Sequence, residues 1–388
     1  MKSLWDDNEA QKYQNDPLAM RVYTSKLLGS SQDLVLHGGG NTSVKIDNLL
    51  YVKGSGWNLD TIEKEGFPAV NLDVLKEMAT RDSLTDSQMV AEQKEAMVDK
   101  SSPNPSIEAI LHAIIPFKYV DHTHADSVVT ITNTPNGKKM VQDLYGENML
   151  IIDYVMPGFI LAKKIYDETK DIDWNKLDGI ILLNHGVFTF DDDAKIAYEK
   201  MIEIVTKAET FLGNLSIDND SCTLTEDQIE MLELRISHLR RTDVTVTMID
   251  TKEACYFSKL KNIDEIVNRG PLTPEHVIRT KAFPMVANRD LNKDLEDFIQ
   301  GYKQYFFEHA KNETMLDLAP RWAIIKKRGV VVFGANEKEN QILSDIISHT
   351  IQAILKAEKL GGWRSLKRKD IFDMEYWELE QTKLRKKQ

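Results

Sequence analysis

The chain reads Val120-Asp121-His122-Thr123-His124-Ala125-Asp126 at the end of a predicted β-strand that covers residues 118–123. Side chains two residues apart on a strand point to the same face, so this strand presents His122 and His124 side by side. Paired imidazoles of this kind can bind zinc, although two ordinary histidines at a strand end would show the same spacing. The motif therefore predicts a strand that ends at a metal site.

A third imidazole follows a second predicted strand. His185 lies at the end of the apolar segment 179–184, and Gly186 lets the backbone turn there. Catalytic zinc sites usually have three protein ligands and keep a fourth position for water or substrate. We therefore predict a Zn²⁺ ion bound by His122, His124 and His185.

Helical and strand-like patterns alternate through the first two hundred residues. This alternation predicts a three-layer α/β/α sandwich with a mixed central sheet. The predicted helices are 16–29, 72–80, 86–99, one from Pro105-Ser106 through His112, one from Ala125, one from Pro157, and 192–212. The predicted strands are 42–46 and 49–53, which form a hairpin, and then 118–123, 149–153, 179–184 and 186–190.

A polar, turn-rich segment at 213–226 follows this region. Such segments commonly separate domains, so we predict a zinc domain at 1–215 and a C-terminal α/β lobe at 216–388. In the second lobe the patterns predict helices near 226–240, 290–310 and 336–358, and a strand at 243–248.

The two lobes share a short pattern. Residues 184–190 (Asn-His-Gly-Val-Phe-Thr-Phe) and 327–333 (Lys-Arg-Gly-Val-Val-Val-Phe) each precede a predicted long helix. Either the second lobe is a degenerate copy of this unit, or two strand–turn–helix units simply look alike. In both cases Arg328 stands where His185 does, so we expect one zinc per chain.

Glu108 lies in a predicted first helical turn, within Pro105-Ser106-Ile107-Glu108-Ala109. A carboxylate there commonly caps the helix or interacts with its dipole. If the side chain faces the metal instead, it can act as a general acid and base. His112, one turn later, is either a residue that orients the site or a satisfied core histidine.

Two glycine loops, 38–40 and 54–56, adjoin predicted strands. Glycines let backbone N–H groups converge on an anion, and Asn41, Ser55 and Ser106 add neutral donors. Neither loop is a Walker or dinucleotide-binding motif, and each is equally consistent with a tight turn. Together they are candidates for a phosphate site.

The chain has 388 residues and a net charge of −12, which argues against a nucleic-acid partner. Basic residues cluster only at 364–369 and 383–387, as on a solvated surface. No apolar run approaches the ~20 residues of a membrane span, and the N-terminus lacks a signal-peptide pattern. We therefore expect a cytoplasmic protein with no membrane partner.

Cys222 and Cys255 form neither a CxxC pair nor a Cys/His zinc spacing. We expect both to be free thiols in a reducing cytoplasm. Any metal must then be held by histidines and carboxylates.

In their order, these residues resemble the class II aldolase/adducin family. The matching pieces are Gly39-Gly40-Asn41-Thr42-Ser43, Lys53-Gly54-Ser55-Gly56, Pro105-Ser106-Ile107-Glu108, His122-Thr123-His124, Tyr154 before Pro157-Gly158, and Asn184-His185-Gly186. Segments 269–281 and 370–377 are similar to the aldolase half of bifunctional rhamnulose-1-phosphate aldolase/short-chain dehydrogenase proteins. A GxGxxG motif is absent from this sequence, so we do not expect the dehydrogenase activity.

The resemblance implies a mechanism. Zinc would chelate two oxygens of a ketose 1-phosphate, most plausibly L-rhamnulose 1-phosphate, which would be cleaved to dihydroxyacetone phosphate and lactaldehyde. Glu108 matches the glutamate that handles the C3 proton, and Tyr154 matches the tyrosine that exchanges a proton with the C4 oxygen. Phosphate-site positions of the family match Asn41, Ser55, Gly56 and Ser106, although Ile107 replaces a frequent second serine. Family aldolases are tetramers with sites between subunits, so we expect a homo-oligomer.

Two alternatives share this fold. Epimerases and dehydratases use the same zinc site with a different reaction, because a fold does not fix a function. A non-catalytic adducin-like module is the other alternative, and it predicts a lost metal site.

Overall fold

The described part of the chain, residues 1–379 of a computed structural model, forms two compact units. The first comprises Met1–Thr132 and Asn136–Gly213, and the second comprises Asn133–Pro135 and the chain from Asn214 onward. Within residues 1–379, none of the helices combines the length and the apolar character needed to cross a membrane. The basic cluster at 383–387 lies outside the described residues.

The first unit contains a seven-stranded mixed sheet with the order β3-β2-β1-β4-β7-β6-β5. The strands are β1 (Asn41–Ile46), β2 (Leu49–Val52), β3 (Ala69–Asn71), β4 (Tyr119–Thr123), β5 (Met149–Ile152), β6 (Gly179–Leu182) and β7 (Gly186–Asp191). The helices are α1 (Asp7–Gln11), α2 (Pro17–Gly29), α3 (Leu72–Thr80), α4 (Asp86–Glu95), α5 (Ala109–Ile114), α6 (Asp126–Thr132), α7 (Gly137–Tyr145), α8 (Phe159–Thr169) and α9 (Ala194–Leu212). Neighbouring strands are antiparallel except β5 and β6, which are parallel.

Helices cover both faces of this sheet. On one face α2 packs on β1, and α9 packs on β7 and β4, while on the other α5 packs on β2 and contacts α3 and α8. Alternation along β1 shows the two faces: the Thr42 hydroxyl lies 2.8 Å from that of Ser25 on α2, whereas the Ser43 hydroxyl lies 2.8 Å from His112 Nδ1 on α5. The predicted three-layer α/β/α sandwich is confirmed.

One predicted helix start is wrong. The helix expected from Pro105-Ser106 begins at Ala109. Residues before it follow the neighbouring loop instead, since Gly54 forms an isolated β-bridge with Pro105 and the Ser106 N–H donates to the Lys53 carbonyl. These contacts hold the chain extended and delay the first helical turn.

The second unit contains a four-stranded sheet with the order β8-β11-β10-β9. Its strands are β8 (Thr245–Met248), β9 (Met285–Ala287), β10 (Trp322–Ile325) and β11 (Gly329–Gly334). Its helices are α10 (Glu226–Arg240), α11 (Lys252–Ser258), α12 (Ile263–Ile266), α13 (Val277–Thr280), α14 (Leu291–His309), α15 (Glu337–Ala357) and α16 (Arg368–Glu375).

The second sheet repeats the topology of β4-β7-β6-β5, which supports the copy over a chance likeness. In the first sheet the antiparallel hairpin β6–β7 lies between β5, which is parallel to β6, and β4, which is antiparallel to β7. In the second sheet the hairpin β10–β11 lies in the same way between β9 and β8. The hairpin turns agree residue by residue, since Asn184 and Lys327 are both left-handed, with φ of 61° and 65°. Met248 pairs with Val331 as His122 pairs with Phe188, so Met248 takes the place of a histidine.

The expectation of two free thiols is wrong. Cys222 and Cys255 form a disulfide, with their Cα atoms 5.4 Å apart. Cys255 lies on α11, and Cys222 lies in the segment that precedes α10. A separation of 33 residues gives no local sign of this contact, because the path of the second unit alone brings the two together.

Candidate metal centre

The candidate site lies at one edge of the seven-stranded sheet. Since β4 and β6 are both antiparallel to β7, and β5 is parallel to β6, the carboxyl ends of β4, β5 and β6 meet at this edge. Antiparallel β1 and β7 begin there. The strand order therefore gathers Asn41, His122, His124 and His185, which are far apart in the sequence.

The three predicted ligand histidines lie together at this edge. One ligand nitrogen from each lies within 4.8 Å of the other two. The Nε2 atoms of His122 and His124 are 3.0 Å apart, and the ring of His185 lies 5.2 Å from that of His122. Two nitrogens bound to one tetrahedral zinc are expected about 3.3 Å apart, so the donor set fits such an ion.

The orientation of His122 is fixed by its surroundings. Its Nδ1 lies 3.0 Å from the Val187 carbonyl, and its ring stacks on Phe188 with centroids 4.0 Å apart. Because only a protonated Nδ1 can donate to that carbonyl, a neutral His122 offers its Nε2 lone pair to the site.

Gly186 leaves room for the imidazoles. A Cβ at this position would lie 2.3 Å from the Thr123 carbonyl oxygen, 2.9 Å from His122 Cε1 and 3.1 Å from His124 Cδ2. Any side chain here would push the backbone or the rings apart. The glycine is therefore a steric requirement of the cluster.

Glu108 faces the histidines and makes no side-chain cap to α5, which begins just after it. Its carboxylate is buried, with Oε2 3.5 Å from His122 Nε2 and Oε1 3.8 Å from His185 Nε2. The carboxylate therefore does not cap the helix, and its role in proton transfer stays a prediction.

Asn41 is the first residue of β1, paired with His122. Its Nδ2 donates to Glu108 Oε2 over 2.6 Å, and its Oδ1 is hydrogen-bonded to His112 Nε2. Burial lowers the pKa of His112 well below its usual range, so this imidazole stays neutral. Both ring nitrogens of His112 have partners, so it is a satisfied buried histidine that also reaches the site through Asn41.

The other candidate phosphate residues lie in two adjacent loops. The Ser55 N–H donates to the Asn104 carbonyl over 2.8 Å, which joins the loop at 54–56 to the one that carries Ser106. Gly56 is exposed and left-handed, with φ of 92°. The Lys53 side-chain nitrogen donates to the Gly38 carbonyl over 3.0 Å. This buried lysine therefore links the two glycine loops.

Tyr154 lies two residues beyond β5. The parallel register pairs Ile152 with Leu182, so Tyr154 leaves the sheet at the same edge as His185. Its phenolic oxygen is buried. The proton-transfer role of Tyr154 stays a prediction.

A buried ion pair, Arg21–Asp121, behind the site was missed from the sequence. The Asp121 side chain points to the face of β4 opposite His122, toward α2. There an Arg21 nitrogen lies 2.6 Å from its carboxylate. Burial raises the pKa of Asp121, and the Arg21 charge opposes this. Strand alternation could have indicated this pair. Neighbouring residues of a strand point to opposite faces, so Asp121 faces away from His122 into the protein, and a buried carboxylate needs a cationic partner.

Comparisons with known proteins agree with this fold. The family model for the class II aldolase and adducin N-terminal domain matches residues 21–212, and that for the second domain of class II aldolases matches residues 223–384. The N-terminal class II aldolase domain of a conserved protein from Thermoplasma acidophilum is 40% identical, with a TM-score of 0.50, and the match covers 55% of this chain and all of that domain.

A longer relative matches nearly the whole chain. The uncharacterized oxidoreductase YuxG of Bacillus subtilis (strain 168) is 28% identical over 418 residues, which cover 99% of this chain. The chain spans 60% of the length of that relative. With the two domain matches, these findings show that the chain belongs to the class II aldolase and adducin family.

Proposed function

We propose that the protein is a zinc-dependent aldolase that cleaves a ketose 1-phosphate, with L-rhamnulose 1-phosphate as the first candidate. The observation that carries this proposal is the placement of Glu108 within 3.5–3.8 Å of two histidines of the cluster. A metal-ligand set with an adjacent carboxylate combines Lewis-acid and acid–base chemistry in one site. A non-catalytic module would not need this arrangement.

Each residue has a distinct part in the proposed reaction. The three histidines would hold a divalent metal, which would stabilise negative charge on the substrate oxygens. As the C3–C4 bond breaks, the C4 hydroxyl gives its proton to Tyr154 and Glu108 gives a proton to C3, so the substrate loses one proton and gains one. The hydroxyl groups of Ser55 and Ser106, the N–H of Gly56 and the remaining Asn41 amide proton bind the phosphate.

The direct test uses the full chain loaded with zinc and rhamnulose 1-phosphate. We expect dihydroxyacetone phosphate and lactaldehyde, and a loss of about 100-fold or more in kcat for Glu108→Gln. Epimerised or dehydrated product would assign the chain to another reaction of the fold. An absence of any product from rhamnulose, fuculose and ribulose phosphates would refute the aldolase.

The proposal includes a homo-oligomer, by family a tetramer, in which Tyr154 serves a neighbouring chain's zinc. Mixed oligomers of His122→Ala and Tyr154→Phe chains should then recover part of the activity that each variant lacks alone.

Metal analysis should give one zinc per chain, since Met248 and Arg328 replace ligands in the second unit. A stoichiometry of two would contradict this picture.

A further inference from the structure

A hydrogen-bonded chain of side chains leads from the sheet to Glu108. Ser43 Oγ lies 2.8 Å from His112 Nδ1, and His112 Nε2 meets Asn41 Oδ1. Asn41 Nδ2 then lies 2.6 Å from Glu108 Oε2. All four residues are buried, with Asn41 the most exposed at 6%. Water therefore competes little with these hydrogen bonds.

The direction of donation along this chain is determined from both ends. Asn41 turns its amide nitrogen to Glu108 Oε2, to which it donates, and its oxygen to His112. His112 must then donate from Nε2, and its Nδ1 accepts from the Ser43 hydroxyl because the buried ring is neutral. One tautomer and one amide orientation satisfy every partner.

We propose that Ser43, His112 and Asn41 form a positioning relay that holds the Glu108 carboxylate toward the metal-binding histidines, a role that rests on the function proposed above. His112 acts through Asn41 and is a positioning residue. If His112 cannot donate, Asn41 loses the partner that fixes its orientation, and its amide can rotate away from Glu108. The carboxylate would then lose this hydrogen bond and leave the position that proton transfer requires.

Two substitutions of similar size separate positioning from packing. His112→Gln places an amide nitrogen where Nε2 stood and keeps a donor for Asn41. His112→Asn is too short and reaches only the region of Nδ1 near Ser43. Ile110→Val, a buried substitution on the same short helix, controls for loosening of α5.

We expect kcat to fall by about 10- to 100-fold in His112→Asn, with KM changed less than about twofold. His112→Gln should recover most of this loss, and Ile110→Val should leave kcat unchanged. Equal losses of kcat in the Gln and Asn variants, or a loss that follows the thermal stability of all three, would overturn the relay.

A second measurement does not depend on the substrate. In the full chain labelled with ¹⁵N-histidine, His112 should be an Nε2–H tautomer with a strongly downfield proton. Asn41→Ala should move this resonance upfield because it removes the acceptor. An Nδ1–H tautomer would refute the relay even if the aldolase activity is present. The expected tautomer in an inactive protein would preserve the hydrogen-bond chain while refuting only the proposed reaction.

Discussion

At the scale of single residues, steric room decides whether three imidazoles can share one ion. Gly186 is the clearest case, because a Cβ there would overlap the Thr123 carbonyl and press on two of the imidazoles. Gly39 also leaves room for a ligand, since a Cβ there would lie 3.3 Å from His124 Nδ1. The two glycines that leave room for the imidazoles are therefore as necessary to the metal site as the histidines themselves.

Gly186→Ala should weaken zinc binding by about 10- to 100-fold, because the methyl group displaces His122 and His124 from the positions in which both can bind one ion. Gly301→Ala is the matched control, since a Cβ on this residue of α14 meets no atom within 4 Å. Competition with a chromogenic zinc chelator measures both affinities. Unchanged zinc affinity in Gly186→Ala would contradict the steric argument.

At the scale of elements, a buried ion pair joins a helix to the strand that carries two ligands. Arg21 on α2 contacts Asp121 on β4, and it also donates to the Ser43 carbonyl of β1 over 3.4 Å. Both charged side chains are at most 1% exposed. The pair holds α2 against the two strands from which His122 and Asn41 reach the site.

Asp121→Asn should lower the free energy of unfolding by about 3–5 kcal/mol, because it leaves the Arg21 charge buried without its counterion. The double variant Arg21→Met/Asp121→Leu removes both charges and should cost less than the single one. Urea denaturation of the three proteins gives the comparison. A double variant less stable than Asp121→Asn would show that the charges themselves stabilise the layer.

The duplicated hairpin offers a second test at this scale. Lys327 occupies the left-handed turn position, which costs a residue with a side chain about 1 kcal/mol relative to glycine. Lys327→Gly should therefore stabilise the second unit by about that amount. Lys338→Gly, an exposed site in the first turn of α15, should instead destabilise it by about 0.5–1 kcal/mol. Chemical denaturation that shows the same sign for both variants would refute the assignment of strain to the turn.

At the scale of the whole molecule, buried titratable groups in the second unit affect the stability of the protein. In the second unit Tyr302 donates to the fully buried Glu375 over 2.7 Å, and the Lys281 ammonium lies 3.8 Å from the Tyr302 ring centroid. Burial raises the pKa of Glu375 to about 7 and lowers the pKa of Lys281 to about 7. Stability should therefore depend on pH in a way that these two groups set.

The unfolded chain loses the Glu375 proton near pH 4.5, whereas the folded chain keeps it to about pH 7. Stability should thus fall between these values, by up to about 3 kcal/mol. Lys281, whose usual pKa is 10.5, has the opposite effect, and stability should rise from about pH 7 to 10.5. In thermal melts, Glu375→Gln should remove the fall between pH 4.5 and 7 and keep the rise. A fall that persists in this variant would assign it to other groups.

Much of the first unit follows from local sequence patterns. The hairpin around Asp47-Asn48, the strand that carries His122 and the strand that precedes His185 are all present as expected. Apolar alternation and turn residues act over a few positions, so a short window contains the information. Short elements such as β3 and β9 were missed because three residues give no period.

The sequence by itself determined that histidines lie at the ends of two strands, and that a carboxylate and two glycine loops accompany them. Only the tertiary structure decided that Glu108 faces those histidines, that His112 reaches it through Asn41, and that Cys222 meets Cys255. These contacts join residues 14 to 77 positions apart in the chain. Strand order and register set them, and no local pattern encodes which strands become neighbours.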